Sequence, residues 1–114
     1  MTDLEFIRAN LPQEEQLAQL AEEATELAQA ALKYRRTLDG TNPARISTDE
    51  AFERLLEEVA DVELSLMVLG IPYNAQDADH ICEIIAEKMA RWRRSLENPP
   101  ETTEGEIHEA KTND

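Results

Sequence analysis

The sequence is poor in the residues that build sheets, disulfides and membrane spans. Of its 114 residues, three are glycine, one is cysteine and 4% are aromatic, and this composition is typical of a helical bundle. The single cysteine excludes an internal disulfide and fits a reducing compartment. No apolar run approaches the roughly 20 residues of a membrane span, and the acidic start lacks the basic region of a secretory signal. We therefore expect a cytoplasmic all-α protein.

Basic residues are scarce as well. The chain carries 11 Lys and Arg against 25 Asp and Glu, which gives a formal net charge of −14. A protein of this charge repels both the phosphate backbone of nucleic acids and anionic lipid surfaces. We therefore expect neither nucleic acid nor membrane as a partner.

Turn residues divide the chain into one short N-terminal helix and three long helices, which we expect to form a helical bundle. Apolar residues at alternating steps of three and four define the apolar seam of each long helix, at the a and d positions of the heptad. The long helices are predicted to end near Leu38, to run from Thr48 to Gly70, and to run from about Ala75 to Leu96. Thr48, or Ser47 with Glu50, is the expected cap of the second. Residues 1–97 are predicted to form the domain, and residues 98–114, with almost nothing to bury, an acidic flexible tail.

Two acidic motifs stand out, residues 22–26 (EEATE) and residues 57–61 (EEVAD). Each sets one acid three residues before another, and side chains three apart share a helix face. Both pairs precede the apolar seam on the same side, so in an antiparallel hairpin Glu23 and Glu58 are expected to approach each other. Hard divalent cations prefer oxygen ligands. The motifs therefore predict a site for Mg²⁺, with Mn²⁺ as an alternative, formed by Glu23, Glu26, Glu58 and Asp61.

Most of the eleven bases fall in two clusters, at the end of the first long helix and on the last one. Cations beside an acidic cage suit a metal-bound polyphosphate, because the ion bridges some anionic oxygens while Lys or Arg binds the others. The residues predicted to bind phosphate are Lys33, Arg36, Lys88 and Arg91.

Several features have simpler interpretations. A single acidic pair is more often a solvated helix face, and His80 is expected to be a surface residue. Cys82 is expected to be a buried inert thiol, and Tyr34 and Trp92 are expected to belong to the core, although both could stack on a base. Two other classes of protein stay open, an acidic mimic of DNA and a helical oligomerisation module. Neither explains the matched carboxylate pairs.

The paired acidic motifs resemble the signature of the all-α nucleoside triphosphate pyrophosphatases, the superfamily of MazG and the dimeric dUTPases. The likeness covers about residues 17–96. It implies Mg²⁺-dependent hydrolysis of a nucleoside triphosphate between the α and β phosphates, which gives a monophosphate and pyrophosphate. It also implies a role in controlling the nucleotide pool, and assembly as a homodimer or homotetramer. By the same resemblance, the metal ligands are Glu23, Glu26, Glu58 and Asp61, and Glu22 orients or deprotonates the attacking water.

Overall fold

The computed structural model describes residues 1–40 and 45–100. Within these residues the chain contains four helices and no strand, which confirms the all-α prediction. The helices are α1 (Asp3–Asn10), α2 (Gln13–Asp39), α3 (Thr48–Leu69) and α4 (Ala75–Glu97). None of the four combines the length and apolar character needed to cross a membrane. Most of the predicted tail, residues 101–114, lies outside the described part of the chain.

Capping residues set the ends of the long helices. Ser47, and not Thr48, caps α3, because its hydroxyl accepts a hydrogen bond from the Glu50 N–H at 3.1 Å. Gly40 and Gly70 end α2 and α3 in the left-handed conformation, with φ of 68° and 77°. Glycine adopts this conformation without steric cost, since it lacks Cβ.

The short helix α1 is fastened to the end of α3. A capping box between Thr2 and Glu5 begins it. Further along, the Arg8 guanidinium donates hydrogen bonds to the carbonyls of Met67 and Val68, with Nε at 3.2 Å from each oxygen. These carbonyls belong to the last turn of α3, where unsatisfied oxygens carry partial negative charge. Arg8 thus satisfies the C-terminal end of α3 from a distant part of the sequence.

Helices α2 and α3 pack antiparallel along two rows with seven-residue spacing. The α2 row consists of Gln16, Glu23 and Ala30, all buried. The α3 row consists of Ala51, Glu58 and Ser65, with the glutamate half-buried and the others buried. The small members of both rows allow the two backbones to approach closely. A glutamate therefore occupies the middle of each contact row.

The contact between α2 and α3 differs from the predicted apolar seam. On α2, the predicted a positions are exposed, with Leu17 at 51% and Leu38 at 63%, whereas the d positions are half-buried, as at Tyr34. The Tyr34 ring packs on Phe52 at 5.4 Å between centroids. The contact is thus shifted by one heptad position toward the row that contains Glu23. The rows of small and polar side chains pack closely, and the larger apolar residues flank them.

Helix α4 belongs to a second unit of the chain, since the first comprises Met1–Asn74 and the second begins at Ala75. All residues of α4 from Asp79 onward are exposed. Trp92 is 69% exposed and Cys82 is also exposed, so the described residues of a single chain do not bury either side chain, contrary to expectation. One helix cannot bury its own apolar stripe, because that requires a second packing surface.

Candidate metal centre

Three carboxylates from α2 and α3 converge at the middle of the helix contact. One oxygen from each of Glu23, Glu26 and Glu58 lies within 4.8 Å of the others. The first two are three residues apart on α2, so both point to the same face. The antiparallel packing places Glu58 opposite them. The structure thus brings together three of the four predicted metal ligands.

We call Glu23, Glu26 and Glu58 the carboxylate trio. Two of its buried oxygens have no hydrogen-bond partner among the described residues. Glu23 is only 8% exposed, and its Oε1 accepts a long hydrogen bond of 3.5 Å from Gln19. Its Oε2 and the Oε1 of Glu58 are buried and have no hydrogen-bond partner within the described residues. Leaving buried carboxylate oxygens unsatisfied is unfavourable, because they have lost water without gaining a donor. A hard cation satisfies such oxygens, so the donor set fits Mg²⁺.

The charges of the carboxylate trio also favour the binding of a divalent cation. Burial raises the pKa of Glu23, and the nearby charges of Glu26, Asp61 and Glu58 raise it further. Burial also raises the pKa of Glu58, and the charges of Glu26, Asp61 and Glu57 and a hydrogen bond between the Glu58 and Glu26 carboxyl groups raise it further. Each carboxylate thus opposes the ionisation of its neighbours when no cation is present. A divalent cation reverses this effect, because it favours the ionised form of every ligand.

The fourth predicted ligand, Asp61, lies at the edge of the site. It is exposed and is not one of the three residues whose oxygens converge. It lines a cavity of about 270 Å³ together with Gln19 and Glu23, and its charge raises the pKa of both Glu23 and Glu58. Asp61 is therefore close enough to act electrostatically on the trio. Glu22, the predicted partner of the attacking water, is exposed on α2 beside Glu23.

A groove with basic walls opens from the opposite side of the trio. Its first part, about 250 Å³, is lined by Glu26 and Glu58 and also by Lys33 and Arg54. The second part, about 190 Å³, shares Lys33 and Arg54 with the first and adds Arg36. The structure thus places two predicted phosphate ligands, Lys33 and Arg36, in a groove that begins at the carboxylates.

The other basic residues divide into two groups. Lys88 and Arg91 are exposed on α4, in the second unit, and their role in phosphate binding stays a prediction. Arg45 and Arg54 line the groove although the sequence analysis did not select them. Arg54 precedes Glu58 by four residues, which places both on the same face of α3. This spacing in the sequence could have identified Arg54 as a residue of the site. Arg45 lies before α3 and follows no helical period.

No family model, no curated protein and no solved structure matches this chain. The similarity to the pyrophosphatase signature is therefore a resemblance between short motifs. The functional argument depends on the carboxylate trio and on the basic groove beside it.

Proposed function

We propose that the protein is a Mg²⁺-dependent nucleoside triphosphate pyrophosphohydrolase. It cleaves the α–β bond of a ribo- or deoxyribonucleoside triphosphate to give a monophosphate and pyrophosphate, and so controls the nucleotide pool. The observation that supports this most is a pair of buried oxygens, one on Glu23 and one on Glu58, that have no hydrogen-bond partner among the described residues. Glu58 also lines the groove that contains Lys33 and Arg54. Acidic residues that were merely solvated would point their oxygens into water.

Each part of the site has a role in this proposal. Glu23, Glu26 and Glu58 hold the ion, and Asp61 adds negative charge from the edge. When bound, Mg²⁺ neutralises phosphate charge and polarises a phosphoryl oxygen. Glu22 orients the attacking water and accepts its proton. Lys33 and Arg36 bind oxygens of the β and γ phosphates, which leave as pyrophosphate.

We also propose that the active form is a homodimer or homotetramer. The described chain leaves large apolar side chains exposed in both units, including Leu17 and Phe52 in the first and Met89 and Trp92 in the second. Apolar surface of this kind is typical of interfaces between subunits. Light scattering after gel filtration should therefore give a mass of two or four chains. A fully active monomer would contradict this part of the proposal.

The activity is tested by incubating the protein with a panel of nucleoside triphosphates, in MgCl₂ or in EDTA, and quantifying monophosphate and pyrophosphate. Performing the reaction in water labelled with a heavy oxygen isotope shows which phosphorus atom the water attacks. The label enters the monophosphate if water attacks the α phosphorus, and enters the other product if it attacks the β phosphorus. We expect label in the monophosphate, in MgCl₂ only.

Matched variants connect this activity to the site. Glu23→Gln and Asp61→Asn should reduce turnover at least about 100-fold, as expected for groups that hold or support a catalytic ion. Glu63→Gln, which changes an exposed acid of α3, should leave turnover unchanged. If no triphosphate of the panel is hydrolysed in Mg²⁺ or Mn²⁺, the protein is instead an acidic interaction module.

A further inference from the structure

The groove beside the carboxylate trio is lined by four cationic side chains, none of which is needed to hold a metal ion. Its cationic lining residues are Lys33, Arg36, Arg45 and Arg54. We propose that Arg54 and Arg45 bind the terminal phosphates of the substrate, so that the site selects a triphosphate by the far end of its phosphate chain. This inference rests on the proposed pyrophosphohydrolase activity and names the residues that determine its specificity.

The first argument is the position of the cations. The two parts of the groove share Lys33, Ile46 and Arg54, so they are adjacent. The part that contains the carboxylates therefore lies beside the part that is lined only by cations and Ile46. A phosphate chain whose metal-bound portion lies at the trio therefore extends its terminal phosphates toward Arg54 and Arg45.

The second argument is that three of these four cations have no ion-pair partner among the described residues. Among the described residues no carboxylate forms an ion pair with Lys33, Arg36 or Arg45. Arg54 pairs with Glu50 at 3.2 Å, but both side chains are about half exposed. An exposed pair at this spacing contributes little stability. Arg54 can therefore exchange Glu50 for a phosphate at little energetic cost.

The third argument concerns the class of ligand. The guanidinium group presents a planar set of donors that binds two phosphate oxygens at once. The groove is bounded by the carboxylates at one end, and the whole chain carries a charge of −14, so a nucleic-acid backbone is repelled. No aromatic residue among those that the structure describes lines either part of the groove, so the described lining offers no platform for a base. A short polyphosphate bound together with a metal ion is the ligand that fits.

The experiment uses inorganic pyrophosphate as the probe of the terminal phosphates, with orthophosphate for comparison. Calorimetric titration of the full chain in MgCl₂ should show tighter binding of pyrophosphate than of orthophosphate. Arg54→Gln should weaken pyrophosphate binding about tenfold or more, because it removes charge-assisted hydrogen bonds. The matched control is Arg35→Gln. Arg35 also pairs with an acid four residues away, Asp39 at 3.6 Å, but does not line the groove, so its loss should leave pyrophosphate binding unchanged.

Kinetics and a second variant separate this inference from the proposed function. In hydrolysis assays Arg54→Gln and Arg45→Gln should raise KM for triphosphates and weaken inhibition by pyrophosphate, while thermal stabilisation by Mg²⁺ alone stays as in the wild type. Arg45 precedes α3, so its substitution avoids any change within a helix. Hydrolysis with unchanged KM and unchanged pyrophosphate affinity in both variants would overturn the inference and leave the proposed function intact. Pyrophosphate binding that depends on Arg54, without hydrolysis of any triphosphate, would support the phosphate site and refute the proposed function.

Discussion

Replacing Glu23 by glutamine should change the stability of the protein in opposite directions with and without magnesium. The substitution keeps the size and shape of the side chain but removes one charge from a row that is buried between α2 and α3. In EDTA at neutral pH, Glu23→Gln should melt at a higher temperature than the wild type. The reason is that burial and neighbouring acids raise the pKa of Glu23, so its ionised form destabilises the folded state.

In magnesium the order should reverse. A ligand that binds only the folded state stabilises it by mass action, by about 2.7 kcal/mol when its concentration is a hundred times Kd. For a chain of 114 residues, this corresponds to a rise in Tm of about 10 °C. Glu23→Gln should lose most of this rise, since a neutral amide replaces the most deeply buried carboxylate of the trio.

The assay is thermal unfolding followed by circular dichroism, at one protein concentration, with MgCl₂ titrated against KCl at constant ionic strength. Glu63→Gln removes the same charge from an exposed position on α3 and should follow the wild type in both buffers. The reasoning is refuted if Glu23→Gln is less stable than the wild type in EDTA. It is also refuted if magnesium raises Tm equally in the variant and the wild type.

Three further changes test the fold and the electrostatics. Because the pKa values of Glu23 and Glu58 are raised above the ordinary 4.5, the folded metal-free protein binds more protons than the unfolded chain. Its Tm should therefore rise as the pH falls from neutral through the folded pKa values toward 4.5, and Glu23→Gln should flatten this dependence. Arg8→Ala should reduce the free energy of unfolding in urea by about 1.5–3 kcal/mol, since the carbonyls at the end of α3 lose a charged donor. Ala51→Leu should cost about 1–3 kcal/mol by overpacking the helix contact, whereas Ala60→Leu, at an exposed position of α3, should cost much less.

Helix positions were predictable because they depend on local chemistry. Glycines at positions 40 and 70 end two helices through their left-handed conformation, and Ser47 begins another by accepting a hydrogen bond from a backbone N–H. Such signals act within one helical turn, so they can be read from the sequence alone. The choice between Ser47 and Thr48 as the cap required the coordinates, because either hydroxyl can bond to a nearby N–H.

The row that forms the contact between α2 and α3 was not predictable in the same way. The heptad pattern favoured the apolar a and d positions, but the chain packs a row that contains Gln16, Glu23 and Ala30. Small side chains permit close approach, and their advantage depends on the facing row of α3, which the α2 pattern does not contain. A periodicity identifies which residues share a face. It does not identify which of two adjacent faces meets a partner.

The candidate site was predictable only where helical spacing determines which side chains lie together. The spacing of three residues was sufficient to place Glu23 and Glu26 together on one helix face, and the antiparallel hairpin was sufficient to bring Glu58 opposite them. Asp61 is exposed and lies outside the group of converging oxygens, and the three-residue spacing does not explain this difference from Glu26. Arg45 joins the groove through the path of the chain before α3, and no periodic pattern describes that path.

The position of Glu23 has a consequence for engineering this protein. Burial and neighbouring acids raise the pKa of Glu23, so a neutral residue of similar size is expected to be more favourable at this position when no cation is bound. A library selected for heat resistance in a chelating buffer would therefore enrich replacements of Glu23 and lose the proposed activity. Selection in buffers that contain magnesium is expected to retain Glu23, because under the proposed function the same carboxylate contributes to stability and to activity.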